Sequence, residues 1–129
     1  MKLLLDTHIW LWTLDWSDQL GTAAKRELRN PDNELWLSPI STWEVLTLNA
    51  KGRMHIQGDV QDWIERATAR YREAPLTHQI ALAARLLPFR HQDPADRFLA
   101  ATAKVLDLTL LTADARLLGL GDISTMANR

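Results

Sequence analysis

An α/β fold built on a mostly parallel sheet is what this sequence predicts, on three observations. Leu3-Leu4-Leu5, Leu35-Trp36-Leu37 and Leu108-Thr109-Leu110-Leu111 are short, continuously apolar runs, as strands buried on both faces require. Between them lie segments with apolar residues at helical spacing, so strands and helices alternate, the pattern of a parallel sheet covered on both faces. Asp6 and Asp114 stand just past two of the runs. In open α/β sheets, ligands bind beyond the carboxyl ends of the strands.

Taken in order, Leu3-Leu4-Leu5 is the first strand, and Asp6-Thr7 caps a helix carrying Ile9, Trp10 and Trp12. After a turn at Ser17-Asp18-Gln19 and Gly21, Thr22 opens a polar helix to about Arg29, which Asn30-Pro31-Asp32-Asn33 breaks. Leu35-Trp36-Leu37 is a second strand. Ser38 with Pro39 starts a helix whose buried face is expected at Ile40, Trp43 and Leu46 to Leu48, and Gly52 stops it. Residues 51–58 lack a period and form a surface loop. Asp59 then caps a helix bearing Val60, Trp63, Ile64, Ala67 and Tyr71. An edge strand fits Ala74-Pro75-Leu76, and an alanine-rich helix runs from Thr77 to about Leu87, before Pro88. Asp93 caps, and Pro94 opens, a helix to about Asp107 that buries Phe98, Leu99, Ala103 and Leu106. The strand at Leu108–Leu111 is followed by a short helix to Leu118, and Ile123 to Met126 is a final strand.

A chain of 129 residues is expected to form one domain, 1–129, with room for a full core. An apolar fraction of 47% against 24% charged residues excludes extended disorder. The net charge of −1 means that a nucleic-acid partner would have to be attracted by local Arg and Lys or by bound metal. The absence of cysteine removes disulfides, thiolate catalysis and Cys-based zinc sites. Asp6 breaks the first apolar run, and no 18 uncharged apolar residues follow one another, so a cytoplasmic protein without membrane contact is expected.

Four acids occupy comparable places: Asp6, Glu44, Asp96 and Asp114 each follow a strand or lie early in a helix. Each also has a structural reading. Asp6 and Asp114 can cap helices, Asp96 suits the positive end of a helix dipole, and Ser41-Thr42-Trp43-Glu44 fits a capping box. The start at Ser38-Pro39, however, puts Glu44 in the second turn, where a box no longer explains it. Gathered like charges raise one another's proton affinity unless a cation compensates. Oxygen-only ligands favour Mg²⁺ or Mn²⁺, which suit phosphodiester hydrolysis.

The segments Leu3-Leu4-Leu5-Asp6-Thr7-His8, Ser41-Thr42-Trp43-Glu44, His91-Gln92-Asp93-Pro94-Ala95-Asp96-Arg97-Phe98-Leu99-Ala100-Ala101 and Leu111-Thr112-Ala113-Asp114 resemble, in order, the motifs of the PIN domain, as in VapC-type toxins of bacterial toxin–antitoxin pairs. The resemblance implies a three-layer α/β/α sandwich and a Mg²⁺- or Mn²⁺-dependent endoribonuclease that cleaves RNA, commonly a homodimer held inactive by an antitoxin. It implies Asp6, Glu44, Asp96 and Asp114 as catalytic and metal-binding residues, with Thr112 as a hydroxyl in the site. The aromatic residue that often follows the fourth acid is absent here, with Leu117 the nearest apolar residue. Thr7, Thr112 and Arg97 are the expected substrate contacts, and Asp93 is a helix cap near the site.

His8, His55, His78 and His91 have no metal-binding spacing, although His8 and His91 flank the acids. Arg85, Arg90, Arg97, Lys104 and Arg116 lead towards the site and can hold phosphates or form a solvated face. The tryptophans can stack on bases, but most have the spacing of core residues. A homodimer is expected from the Trp10–Trp16 and Trp63–Tyr71 regions, which carry more apolar surface than one small core needs. A dehalogenase-type phosphatase would want an acid where His8 stands, and a receiver domain a lysine within 109–112, where none occurs. A housekeeping RNA-processing nuclease and a non-catalytic RNA- or protein-binding module are the alternatives. A pure binder of polyanions gains nothing from gathered carboxylates.

Overall fold

The computed structural model describes residues 1–90 and 93–129. Five strands form one wholly parallel sheet: β1 (Lys2–Leu5), β2 (Glu34–Leu37), β3 (Arg72–Glu73), β4 (Thr109–Thr112) and β5 (Ser124–Ala127), in the order β3-β2-β1-β4-β5. The chain steps outward from β1 through β2 to β3, then returns to place β4 on the other side of β1. That reversal opens a crevice at the carboxyl ends of β1 and β4, the usual ligand position in such sheets. Asp6 sits at its head, its amide donating to the Leu111 carbonyl at 3.0 Å.

Among the described residues seven helices cover the sheet: α1 (Thr7–Leu14), α2 (Thr22–Arg29), α3 (Pro39–Ala50), α4 (Val60–Thr68), α5 (His78–Leu86), α6 (Pro94–Leu106) and α7 (Ala115–Leu118). Side chains alternate across a strand, so β1 feeds two cores. Leu3 and Leu5 pack with Ile9, Trp10, Val45 and Ala67 on one face, and Leu4 with Ile80, Leu99, Leu110 and Leu117 on the other. The result is the expected three-layer arrangement. Trp10, fully buried, donates through its indole N–H to the Ala67 carbonyl at 3.0 Å and so fastens α1 to α4.

Several local expectations are corrected. The edge strand is Arg72–Glu73 rather than Ala74–Leu76, although the Ala74 amide still donates to the Leu37 carbonyl. The last strand is Ser124–Ala127 instead of Ile123 to Met126, a one-residue displacement. Trp43, expected on the buried face of α3, is 60% exposed, and Ser41 and Val45 are buried there instead. In the Trp10–Trp16 and Trp63–Tyr71 regions Trp10 is buried and Trp12, Trp16, Trp63 and Tyr71 are partly buried against the core, while Leu14 is exposed. The exposed large apolar side chains include Leu82 and Leu86, one turn apart on α5.

Two contacts fix segments far apart in the chain. Arg97, on α6, donates to the carbonyls of Ala84, Arg85, Leu87 and Phe89, so one guanidinium closes the end of α5 against the start of α6. At the far end, Ala24 N–H donates to the Arg129 carbonyl, and Asn128 bridges the Gly21 amide and the Gln19 carbonyl. The approach leaves no room for a side chain: a Cβ on Gly21 would lie 1.7 Å from the Arg129 carbonyl carbon. Among the described residues no helix is long and apolar enough to cross a membrane.

Candidate active site

Local sequence places each acid. Asp6 ends β1 and caps α1, Glu44 lies in the second turn of α3, Asp96 is the third residue of α6, and Asp114 follows β4 and caps α7. At α6 the capping itself falls to Asp93, whose Oδ1 accepts from the amides of Ala95 at 2.9 Å and Asp96 at 3.3 Å. Asp96 is therefore not needed as the cap.

Two threonines knit three of the acids together. The Thr7 amide donates to Asp6 Oδ1 at 2.8 Å, and the Thr7 hydroxyl donates to Glu44 Oε1, with Ser41 Oγ 2.9 Å from the same hydroxyl. Thr112 donates through Oγ1 to Asp6 Oδ2 at 2.6 Å, and the same oxygen accepts from the Asp114 amide at 3.0 Å. Both threonines are buried, as is Ser41. A linked path thus runs from Glu44 through Thr7 to Asp6, and through Thr112 to the backbone of Asp114. Ser41 is the member that sequence reasoning missed; it lies one helical turn before Glu44, where α3 faces α1.

The electrostatics agree with a shared crevice. Burial pushes the Asp6 carboxyl above the ordinary aspartate value, and Asp114 adds to the rise, against hydrogen bonds from Thr112 and Thr7 and the neighbouring His8. Glu44 is pushed up to about 7, chiefly by burial, with the charges of Asp6, Asp93 and Asp96 adding to it against the Thr7 hydrogen bond. Asp96 thus joins the group through its field. Among the described residues no group of three or more acidic or histidine side chains forms a ready-made metal site.

Of the three expected substrate contacts, Thr7 and Thr112 are buried in this path and Arg97 is engaged with backbone carbonyls. Arg116 grips Asp114 in two places, Nη2 to Oδ2 at 2.8 Å and Nε to Oδ1 at 3.1 Å. His8 is exposed beside the crevice, its ring 6.1 Å from that of Trp12. His91, the other expected flanking histidine, lies outside the described residues.

Comparison with known proteins agrees with this architecture. The family model of the PIN domain matches residues 3–122. Ribonuclease VapC22 of Mycobacterium tuberculosis is 32% identical over 116 residues, 89% of this chain and 88% of that protein. The fold is similar to that in the crystal structure of DNA-bound VapBC from Salmonella typhimurium, with a TM-score of 0.75 at 16% identity over 100% of this chain and 99% of that one. It is similar also to that in VapBC2 from Rickettsia felis bound to a promoter DNA fragment, with a TM-score of 0.74 at 15% identity over 98% of both chains. By its sequence as well as by its architecture, this chain belongs to the PIN domain family.

Proposed function

We propose that this protein is a Mg²⁺- or Mn²⁺-dependent endoribonuclease and the toxin of a toxin–antitoxin pair. The observation that carries the proposal is the crevice at the carboxyl ends of β1 and β4. There burial, with the charges of Asp6, Asp93 and Asp96 adding to it, pushes the Glu44 carboxyl up to about 7. Burying gathered carboxylates disfavours the bare fold at neutral pH, and a hard divalent cation with oxygen ligands relieves it. Asp6, Glu44, Asp96 and Asp114 are the residues that would hold the cation. When bound, it lowers the proton affinity of a water and offsets charge on the attacked phosphate and the leaving oxygen.

The chain's own residues do the rest. Thr7 holds Glu44 and Asp6 in a fixed relation, and Thr112 orients Asp6 while fixing the backbone of Asp114. Hence we read these buried hydroxyls, expected as substrate contacts, as positioning groups. Arg97 positions the start of α6, and with it Asp96.

The toxin assignment is supported by VapC22, named a ribonuclease, and by the VapBC complexes that share the fold. The partner is an antitoxin protein and the substrate RNA. A homodimer is supported by Leu82 and Leu86, which are 61% and 70% exposed on one face of α5. Incubation of RNA with the protein and Mn²⁺ gives endonucleolytic products, and EDTA stops the reaction; undiminished cutting in EDTA removes the metal from the mechanism. Light scattering at micromolar concentration gives twice the chain mass.

A further inference from the structure

At the opposite end of the sheet from the acids, where β2 and β3 begin, the surface has the reverse character. A hollow of about 580 Å³ there is lined by Arg29 at the end of α2, Arg70 just before β3 and Arg72 at its start. Each of these exposed guanidiniums lies over an aromatic ring: Arg29 is 4.3 Å from the ring centre of Trp16, Arg70 5.4 Å from that of Tyr71 and Arg72 5.9 Å from that of Trp36. A guanidinium held over a ring face spends none of its N–H donors on that contact. Arg72 also pairs with Glu34 at 3.6 Å, and Arg70 donates to the Leu28 carbonyl at 3.4 Å. Among the described residues neither Arg29 nor Arg70 has a carboxylate partner. Lys25 and Arg26 extend the surface along α2, where Arg26 lies 3.6 Å from Glu27. Five cations thus face three acids, Glu27, Asp32 and Glu34, on a chain whose net charge is −1.

We infer that this basic surface binds the sugar–phosphate backbone of RNA, away from the crevice. The inference rests on the reading of the protein as a ribonuclease. Such an enzyme meets a conflict, because the carboxylates that would hold its cation repel the polyanion it cuts. Beside the crevice, Arg97 is engaged with backbone carbonyls and Arg116 with Asp114. A second surface supplies the attraction without adding cations among the acids. It lies within reach of the same molecule, since a strand of four residues spans only about 13 Å and a folded RNA is larger than that. Guanidiniums that meet phosphates fix the position of the RNA and carry no sequence preference.

Fluorescence anisotropy of a labelled stem-loop RNA in EDTA, over a series of salt concentrations, tests this surface, because without metal the crevice repels phosphate. Arg29→Gln/Arg70→Gln binds about five- to thirtyfold more weakly at low salt, the size of two exposed ion pairs. Its slope of log affinity against log salt is shallower by about 1.4–1.8, since each phosphate contact contributes about 0.7–0.9. Arg29→Lys/Arg70→Lys keeps both charges and retains most of the affinity and the slope of the parent. Lys25→Gln/Arg26→Gln, on the open side of α2, shifts affinity and slope in the same direction as the first variant, and so tests the surface even if that variant fails to fold. Mn²⁺ binding by calorimetry is the same in all four proteins, because the acids lie at the other end of the strands.

Unchanged affinity and slope in both glutamine variants overturn the inference, and are the result expected if the surface serves an acidic protein instead. An equal loss in the lysine variant also overturns it, by making the arginines structural. Failure of the ribonuclease reading is separately visible: a parent that binds the RNA with this salt dependence but cuts none in Mn²⁺ keeps the surface and loses the nuclease.

Discussion

Glu44→Gln tests the electrostatics of the crevice most directly. Glu44 has an ordinary value of 4.5 and is pushed up to about 7 in the fold. Between these values the folded chain retains a proton that the unfolded chain has released, so stability falls as pH rises through that window. Below the window both states are protonated and there is no penalty; above it the whole penalty applies. At ~1.4 kcal/mol per tenfold change in proton affinity the shift would amount to about 3 kcal/mol for a fully desolvated carboxyl. Glu44 is partly open to solvent, and screening reduces this to about 1–2 kcal/mol. Gln is neutral at every pH, and its amide oxygen can still accept the Thr7 hydroxyl. In EDTA, then, Glu44→Gln matches the parent at about pH 4 and exceeds it by about 1–2 kcal/mol at about pH 8, a gain of roughly 3–8 °C in melting temperature for a domain of this size. Urea denaturation of both proteins from acid to mildly alkaline pH measures the difference. A variant less stable than the parent at the alkaline end, or a difference that does not change with pH, would refute the reasoning.

Three further substitutions separate architecture from chemistry. Asp96→Asn leaves capping to Asp93 and changes stability in EDTA by less than about 1 kcal/mol, yet it lowers the Glu44 value, followed by NMR titration, and abolishes RNA cleavage in a gel assay. Thr112→Val strips buried Asp6 Oδ2 of its hydroxyl donor and the Asp114 amide of its acceptor, so chemical denaturation shows a loss of about 1–3 kcal/mol. Gly21→Ala drives a methyl group into the Arg129 backbone and lowers the melting temperature by several degrees, with hydrogen exchange rising at Gly21 and Ala24.

What the sequence made legible follows from how far each signal reaches along the chain. The strands β1, β2 and β4 carry continuous apolar runs because sheet and helices cover both faces, so they stand out locally. In contrast, β3 is two exposed residues, Arg72 and Glu73, at the edge of the sheet, where nothing requires an apolar side chain and no pattern arises. Trp43 misled for a related reason. Apolar periodicity marks a buried face only where that face meets a core, whereas α3 turns one of its faces to α1, and polar Ser41 is buried there beside Thr7. The four acids were legible through capping signals and family motifs. Their coupling was not, since it depends on hydrogen bonds such as Thr112 to Asp6, which spans 106 positions. Arg97 and Arg116 look alike as basic residues near the site; only the folded chain shows that one serves the backbone and the other a carboxylate.

The strand order has a consequence for how the protein comes into being. β1 leaves the ribosome long before β4, yet it is the middle of the sheet and pairs with β4, whose register runs from Thr109 opposite Leu3 to Leu111 opposite Leu5. Throughout most of synthesis one edge of β1 therefore has no partner, and the crevice has only one wall. Asp6, Glu44 and Asp96 are already present in the growing chain, but neither Thr112, which donates to Asp6, nor Asp114 has yet been made. Pairings this distant in sequence are slow to form because the loop between them must be closed first. A chain halted before β4 therefore lacks one wall of the crevice, and the site is complete only after that strand has been made.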